Sequence, residues 1–185
     1  FDITSTKSPE FLKKNPIGKV PVLETDKGFI FESGAILRYV SRLAPAAGLY
    51  GNSFYEQALV DQWIDFSTTE LDNVLAPWIY PVIFSKFQAN PQTTELAKKS
   101  AVRSLTALNT YLETNTFLAG QRLTSADIAV AGSLLLPVQT VMDDEFRKPF
   151  KNVWRWFDTC VNQPNFKAIV GNVVKIDVAY PPKSQ

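Results

Sequence analysis

Lys19-Val20-Pro21-Val22-Leu23-Glu24-Thr25-Asp26-Lys27-Gly28-Phe29-Ile30-Phe31-Glu32-Ser33-Gly34-Ala35-Ile36 is the stretch that decides the architecture. Two strand-like runs, residues 20–24 and 29–31, flank the polar four Thr25-Asp26-Lys27-Gly28, with glycine in the last turn position. That spacing predicts an antiparallel hairpin. Pro21 has no N–H to give a sheet ladder, so it belongs at an edge or at an irregular strand start. Directly after the second run the pattern changes period. From about Ser33 to Leu43, Ile36, Leu37 and Val40 recur at three- and four-residue spacing, which predicts a helix burying those three.

Upstream, Ser8-Pro9-Glu10 reads as a helix start, with serine as N-cap and proline in the first position. That helix is expected to stop near Asn15, because Pro16 disfavours continuation. Phe1-Asp2-Ile3-Thr4 reads as the tail of a strand. Downstream, Ala44-Pro45-Ala46-Ala47-Gly48 breaks the second helix and reads as a linker. From about residue 53 the pattern is helical. Leu59, Trp63 and Phe66, with Val60 and Ile64, form a broad apolar face, and Pro77 and Pro81 are expected to end or kink that helix near Ala76. Asn90-Pro91 starts the next helix, whose stripe is Val102, Leu105, Leu108 and Leu112. Thr124-Ser125-Ala126-Asp127 opens a strongly apolar helix over 128–141, placed at the centre of a bundle, with Thr124 and Asp127 as a structural capping box. Replacing Asp127 by alanine is expected to cost about 0.5–2 kcal/mol through the lost cap. Pro149 and Pro164 mark two later short helices, and Tyr180-Pro181-Pro182-Lys183-Ser184-Gln185 reads as the start of a linker.

The 185 residues are enough to bury roughly 70% of the unfolded chain's surface without disulfide or metal staples. There is no histidine and one cysteine, which excludes Ser-His-Asp and Cys-His pairs, histidine-containing metal sites and an internal disulfide. The formal net charge is +1, divided as +2 before residue 44 and −1 after it, so neither half carries a nucleic-acid footprint. No apolar run reaches the eighteen or so residues of a membrane span. Both ends read as cut from a longer protein.

Two places carry candidate chemistry. At Val20-Pro21 the peptide bond is either an ordinary trans edge-strand bond or a cis bond that turns the Val20 backbone toward an extended ligand. At Glu32-Ser33, a strand-to-helix junction, free backbone N–H groups and a serine hydroxyl can hold a carboxylate while Glu32 holds an ammonium; the plainer reading is Ser33 as an N-cap. The aromatics Trp63, Phe66, Trp78, Tyr80, Phe84 and Phe87 read as core and seam. Trp154, Trp156 and Phe157 read as packing, and Cys160 as a buried small hydrophobe.

The runs 19–23, 31–36 and 124–127 together resemble the glutathione-transferase fold. Residues 7–25, with 62–66, 116–120 and 162–167, are similar to the amino-terminal domain of the elongation factor 1-gamma family. The resemblance implies an α+β two-module glutathione-transferase fold. Residues 1–43 would be an incomplete thioredoxin-like α/β module lacking its first strand and helix, 44–52 a linker, 53–180 an all-α helical bundle, and 181–185 the start of a linker. It also implies a cis bond at Pro21, contacts from Lys19, Val20 and Pro21 to the glutathione backbone, and Glu32 and Ser33 at its γ-glutamyl end. Gly34 departs from the asparagine often found there, which loosens the first helical turn. The residue that activates the glutathione thiol in such transferases would precede Phe1, so no catalytic residue is assigned.

The function implied is a non-catalytic, cytoplasmic docking domain of the translation elongation factor 1B complex. It would hold the guanine-nucleotide-exchange subunit that serves elongation factor 1A, with no cofactor, no metal, no direct nucleic acid and no membrane. The alternative is a transferase that conjugates glutathione, as ligand or substrate, to electrophiles. A third reading is a transferase-like appendage on an aminoacyl-tRNA synthetase or another assembly. The fold also makes a homodimer, or a heteromer with another transferase-like domain, an expected partner arrangement.

Overall fold

A computed structural model describes residues 3–183; Phe1 and Asp2 of the strand-tail reading, and Ser184 and Gln185 of the linker reading, lie outside the described residues. The chain divides into two compact units, Phe1–Tyr50 and Gly51–Gln185.

The first unit opens with a 3-10 turn at Ile3–Lys7 rather than a strand end. Its serines and threonines favour local turns over a ladder, and Ser8 N–H closes on Ser5 C=O at 3.2 Å. Helix α1 (Pro9–Lys14) follows, capped by the Ser8 hydroxyl, which accepts from Phe11 N–H, and ended at Asn15. Strands β1 (Val22–Thr25) and β2 (Gly28–Phe31) form the hairpin, in register Val22↔Phe31 to Thr25↔Gly28. Thr25 holds its turn, donating its hydroxyl to Gly28 C=O and accepting from Lys27 N–H. Lys14 ties α1 to the hairpin through Glu24, 2.8 Å away, and lies 5.0 Å from the Phe29 ring centroid. Helix α2 runs Ser33–Leu43 as the spacing predicts, but Val40 is 45% exposed and only Ser41 is fully buried. Two short strands and a six-residue helix offer too little surface to cover the whole stripe.

The second unit is helical: α3 (Phe54–Phe66), α4 (Asn73–Ile83), α5 (Pro91–Thr114), α6 (Ser125–Val138), α7 (Asp144–Arg147), α8 (Lys151–Val161) and α9 (Pro164–Val170). Between α3 and α4 a π-helical stretch, Ser67–Asp72, keeps the chain helical without a break. Of the two expected outcomes, an end or a kink near Ala76, the end does not occur: Pro77 and Pro81 lie inside α4. The carbonyls these prolines leave without an intrahelical donor belong to Asn73 and Pro77, both exposed, so water can satisfy them. On α5 the buried stripe is Ala97, Ala101, Ser104, Leu105, Leu108 and Leu112, whereas Val102 is 43% exposed. Counting back seven residues from Leu108 gives Ala101, and Val102 lies about 100° further round the helix. Helix α6 ends at Val138, not 141, and buries Val130, Ala131, Leu134 and Val138 completely, while Leu136 stays exposed. Among the described residues, no helix is long and apolar enough to cross a membrane.

Candidate functional site

The first unit assembles the site from a loop, a strand start and a helix start. Asn15, buried at the end of α1, makes the loop rigid from both sides: its Oδ1 accepts from Ile17 N–H at 3.0 Å, and its Nδ2 donates to Lys19 C=O at 2.7 Å. Gly18 completes the turn with φ +67°, and a Cβ there would meet Lys7 Nζ at 2.8 Å and Thr6 C=O at 2.9 Å. The Lys7 ammonium donates to the Ile17 and Gly18 carbonyls at 3.4 Å each. This loop delivers Lys19 and Val20 to a cis Val20–Pro21 bond just ahead of β1.

Register brings the other half alongside. Because Val22 pairs with Phe31, Pro21 continues from one strand where Glu32 continues from the other. Lys19, Val20, Pro21, Glu32 and Ser33 are all exposed. Glu32, not Ser33, is the N-cap of α2, with φ 71° and ψ 117°, a left-handed conformation uncommon outside glycine. Its carboxylate makes no capping bond to the helix. The first bond of α2 runs from Ile36 N–H to Glu32 C=O at 3.0 Å, so the N–H groups of Ser33, Gly34 and Ala35 have no partner within the helix. These amides and the Ser33 hydroxyl suit an anionic carboxylate, and the neighbouring Glu32 suits an ammonium. Gly34 does not interrupt α2.

Thr124 and Asp127 lie in the second unit and form a capping box at the start of α6. Both are buried, Asp127 completely. The Asp127 carboxylate accepts from Thr124 N–H (2.9 Å), the Thr124 hydroxyl (3.1 Å), Leu118 N–H (3.0 Å) and Trp156 Nε1–H (2.8 Å). It thus joins α6, the preceding loop and α8. Burial pushes its carboxyl above the ordinary range, against the pull of the Trp156, Leu118 and Thr124 donors. Cys160 is fully buried, and burial together with the Asp127 charge pushes its thiol far up, so it stays protonated and unreactive. Trp63, Trp78, Trp154, Trp156 and Phe157 are core, whereas Tyr80, Phe84 and Phe87 form a half-exposed cluster on each other, with Lys86 over the last two. Among the described residues, no cluster of acidic, cysteine or histidine side chains could hold a metal ion.

Sequence reasoning placed Asn15 as a helix end and Trp156 as packing, but missed the loop-shaping roles of Asn15 and Gly18 and the bond from Trp156 to Asp127. For the first two the signal was present, a polar side chain and a glycine bracketing Pro16 and Ile17. For Trp156 there was none, because its partner lies 29 residues away.

Residues 1–42 match the family described as "Glutathione S-transferase, N-terminal domain", and residues 71–164 match "Glutathione S-transferase, C-terminal domain". The chain belongs to the glutathione S-transferase family. Within it, the chain is similar to proteins named elongation factor 1-gamma. It is 46% identical over 174 residues to Elongation factor 1-gamma 1 of Oryza sativa subsp. japonica, covering 94% of this chain and 41% of that protein. It is 48% identical over 179 residues to Probable elongation factor 1-gamma 2 of Arabidopsis thaliana, covering 96% and 43%. This chain therefore spans less than half the length of these relatives. The crystal structure of the GST-like domain of elongation factor 1-gamma from Saccharomyces cerevisiae shares the fold, with a TM-score of 0.82 at 22% identity over 95% of this chain and 83% of that one.

Proposed function

We propose that this chain is the docking domain of a translation elongation factor 1B complex, anchoring the guanine-nucleotide-exchange subunit that serves elongation factor 1A in the cytoplasm. The observation that supports the reading is the 46–48% identity to proteins named elongation factor 1-gamma, sustained over nearly the whole chain. A pull-down with the intact protein tests it: the exchange subunit should be recovered in stoichiometric amount. If the subunit stays in the flow-through, the reading fails. Sedimentation of the free protein then separates a homodimer or a heteromer with another transferase-like domain from a monomer.

A second reading is favoured by one feature of the first unit. The hairpin register sets Lys19-Val20-Pro21 beside the unpaired amides of α2 and Glu32-Ser33, an arrangement suited to a γ-glutamyl peptide. Under this reading the full-length protein is retained on immobilised glutathione, and the double substitution Glu32→Ala, Ser33→Ala releases it. Conjugation of a model electrophile by the same protein would add transferase activity; absence of both retention and conjugation removes this second reading.

A further inference from the structure

We propose that residues 178–183 are a detachable latch, an extended peptide bound in cis to a groove of the helical unit that recognises a proline pair followed by a cation. The occupant is this chain's own tail, and its attachments differ along its length. The near end is firmly anchored. Lys175 Nζ pairs with both oxygens of Asp158 on α8 at 2.7 Å. Ile176 is buried, its N–H donates to Val138 C=O at 3.0 Å, and its own C=O accepts from Arg147 Nη1 at 2.7 Å. The Arg147 guanidinium is itself buried and also holds the Met142 carbonyl and Asp144.

Beyond this anchor the attachment changes in kind. Tyr180 N–H donates to Thr140 C=O at 2.8 Å, in the turn after α6. Lys183 N–H donates to Pro81 C=O at 2.9 Å, and its ammonium donates to Ile83 C=O at 2.9 Å. The last two acceptors belong to the final turn of α4, where carbonyls lack intrahelical partners and the helix dipole favours a cation. Pro181 and Pro182 have no N–H to offer and stiffen the span between the two donor points. The side chains contribute little here: Val178 is 75% exposed and Tyr180 55% exposed. The latch is therefore held by its backbone and one ammonium, and its seat reads chain direction, proline and the lysine charge that follows. Tyr180 and Pro182 also help to line a cavity of about 240 Å³, with Trp78, Val82 and Phe146. Few buried apolar contacts and exposed hydrogen bonds are the marks of a segment that opens locally.

Amide hydrogen exchange on the full chain tests the proposal. The Tyr180 and Lys183 amides should exchange together, about 100-fold faster than the Ile176 amide, because the far end opens while the anchor holds. Lys183→Met should speed both by about tenfold through loss of the charge-assisted bond, with Ile176 and the melting temperature unchanged. A blocked peptide Val-Ala-Tyr-Pro-Pro-Lys, added at millimolar concentration, should compete for the seat and speed the same two amides, whereas a scrambled peptide should not. Exchange of all three amides at one common rate would show the tail to be an integral part of the bundle. No response of Tyr180 to Lys183→Met, or equal effects of the two peptides, would likewise overturn the latch.

Discussion

Asp127 shows how one residue outgrows the role its local sequence assigns. The run Thr124-Ser125-Ala126-Asp127 identifies a helix start, and a helix start alone sets a cost of about 0.5–2 kcal/mol for removing the carboxylate. In the folded chain the same carboxylate also holds Leu118 N–H and Trp156 Nε1–H in a fully buried setting. Asp127→Ala leaves three buried N–H donors unpaired, at about 1–3 kcal/mol each. We expect a loss of about 3–5 kcal/mol in urea unfolding and a melting temperature lower by roughly 10 °C. The pH dependence follows from the raised carboxyl. The folded state binds the proton more tightly than the unfolded chain, so this contribution is complete below the ordinary carboxylate pKa and declines as pH rises through the folded-state value. The stability difference between the wild type and Asp127→Asn should therefore shrink from acid toward neutral pH and then level off. In the first unit, Gly18→Ala introduces a Cβ at φ +67° and 2.9 Å from the Thr6 carbonyl. A cost of about 2 kcal/mol is expected in calorimetry, since the left-handed conformation alone accounts for roughly half of it.

At the scale of elements, caps and turns were legible because they are decided within four residues. Ser8, the Thr25–Gly28 turn, Asn90 and Thr124 all stand where local chemistry places them. Asn90 Oδ1 accepts from both Gln92 N–H and Thr93 N–H at the start of α5. Asn90→Ala should cost about 1 kcal/mol, read as a shift in the denaturation midpoint with an unchanged slope. What failed were statements about how far an element runs and which face it buries. Pro77 and Pro81 are helix breakers by propensity, yet α4 carries both, with the affected carbonyls on the exposed residues Asn73 and Pro77. Val40 and Val102 are apolar residues at plausible helical spacing that stay nearly half exposed.

For the whole molecule, burial is distributed unevenly. Among the described residues, every fully buried apolar side chain except Tyr50 lies in the second unit, as do all four tryptophans. The hairpin amides of β1 and β2 should accordingly exchange faster than those of α5, α6 and α8, as hydrogen exchange resolved by residue would show. Charge and composition, which speak at this scale, carry no information about how the candidate site is assembled. By itself the sequence determined the hairpin, the starts of α1, α5 and α6 and the capping residues Ser8, Asn90 and Thr124, because hydrophobic period and turn chemistry are local. Only the tertiary structure decided that Asn15 clamps the Lys19 carbonyl, that Glu32 takes the capping position, and that Asp127 reaches Trp156. It also decided that the tail ties to α4. Each of these depends on where a hydrogen-bond donor finds its acceptor in three dimensions, and for the longest of them the partners lie 29 and 100 residues apart.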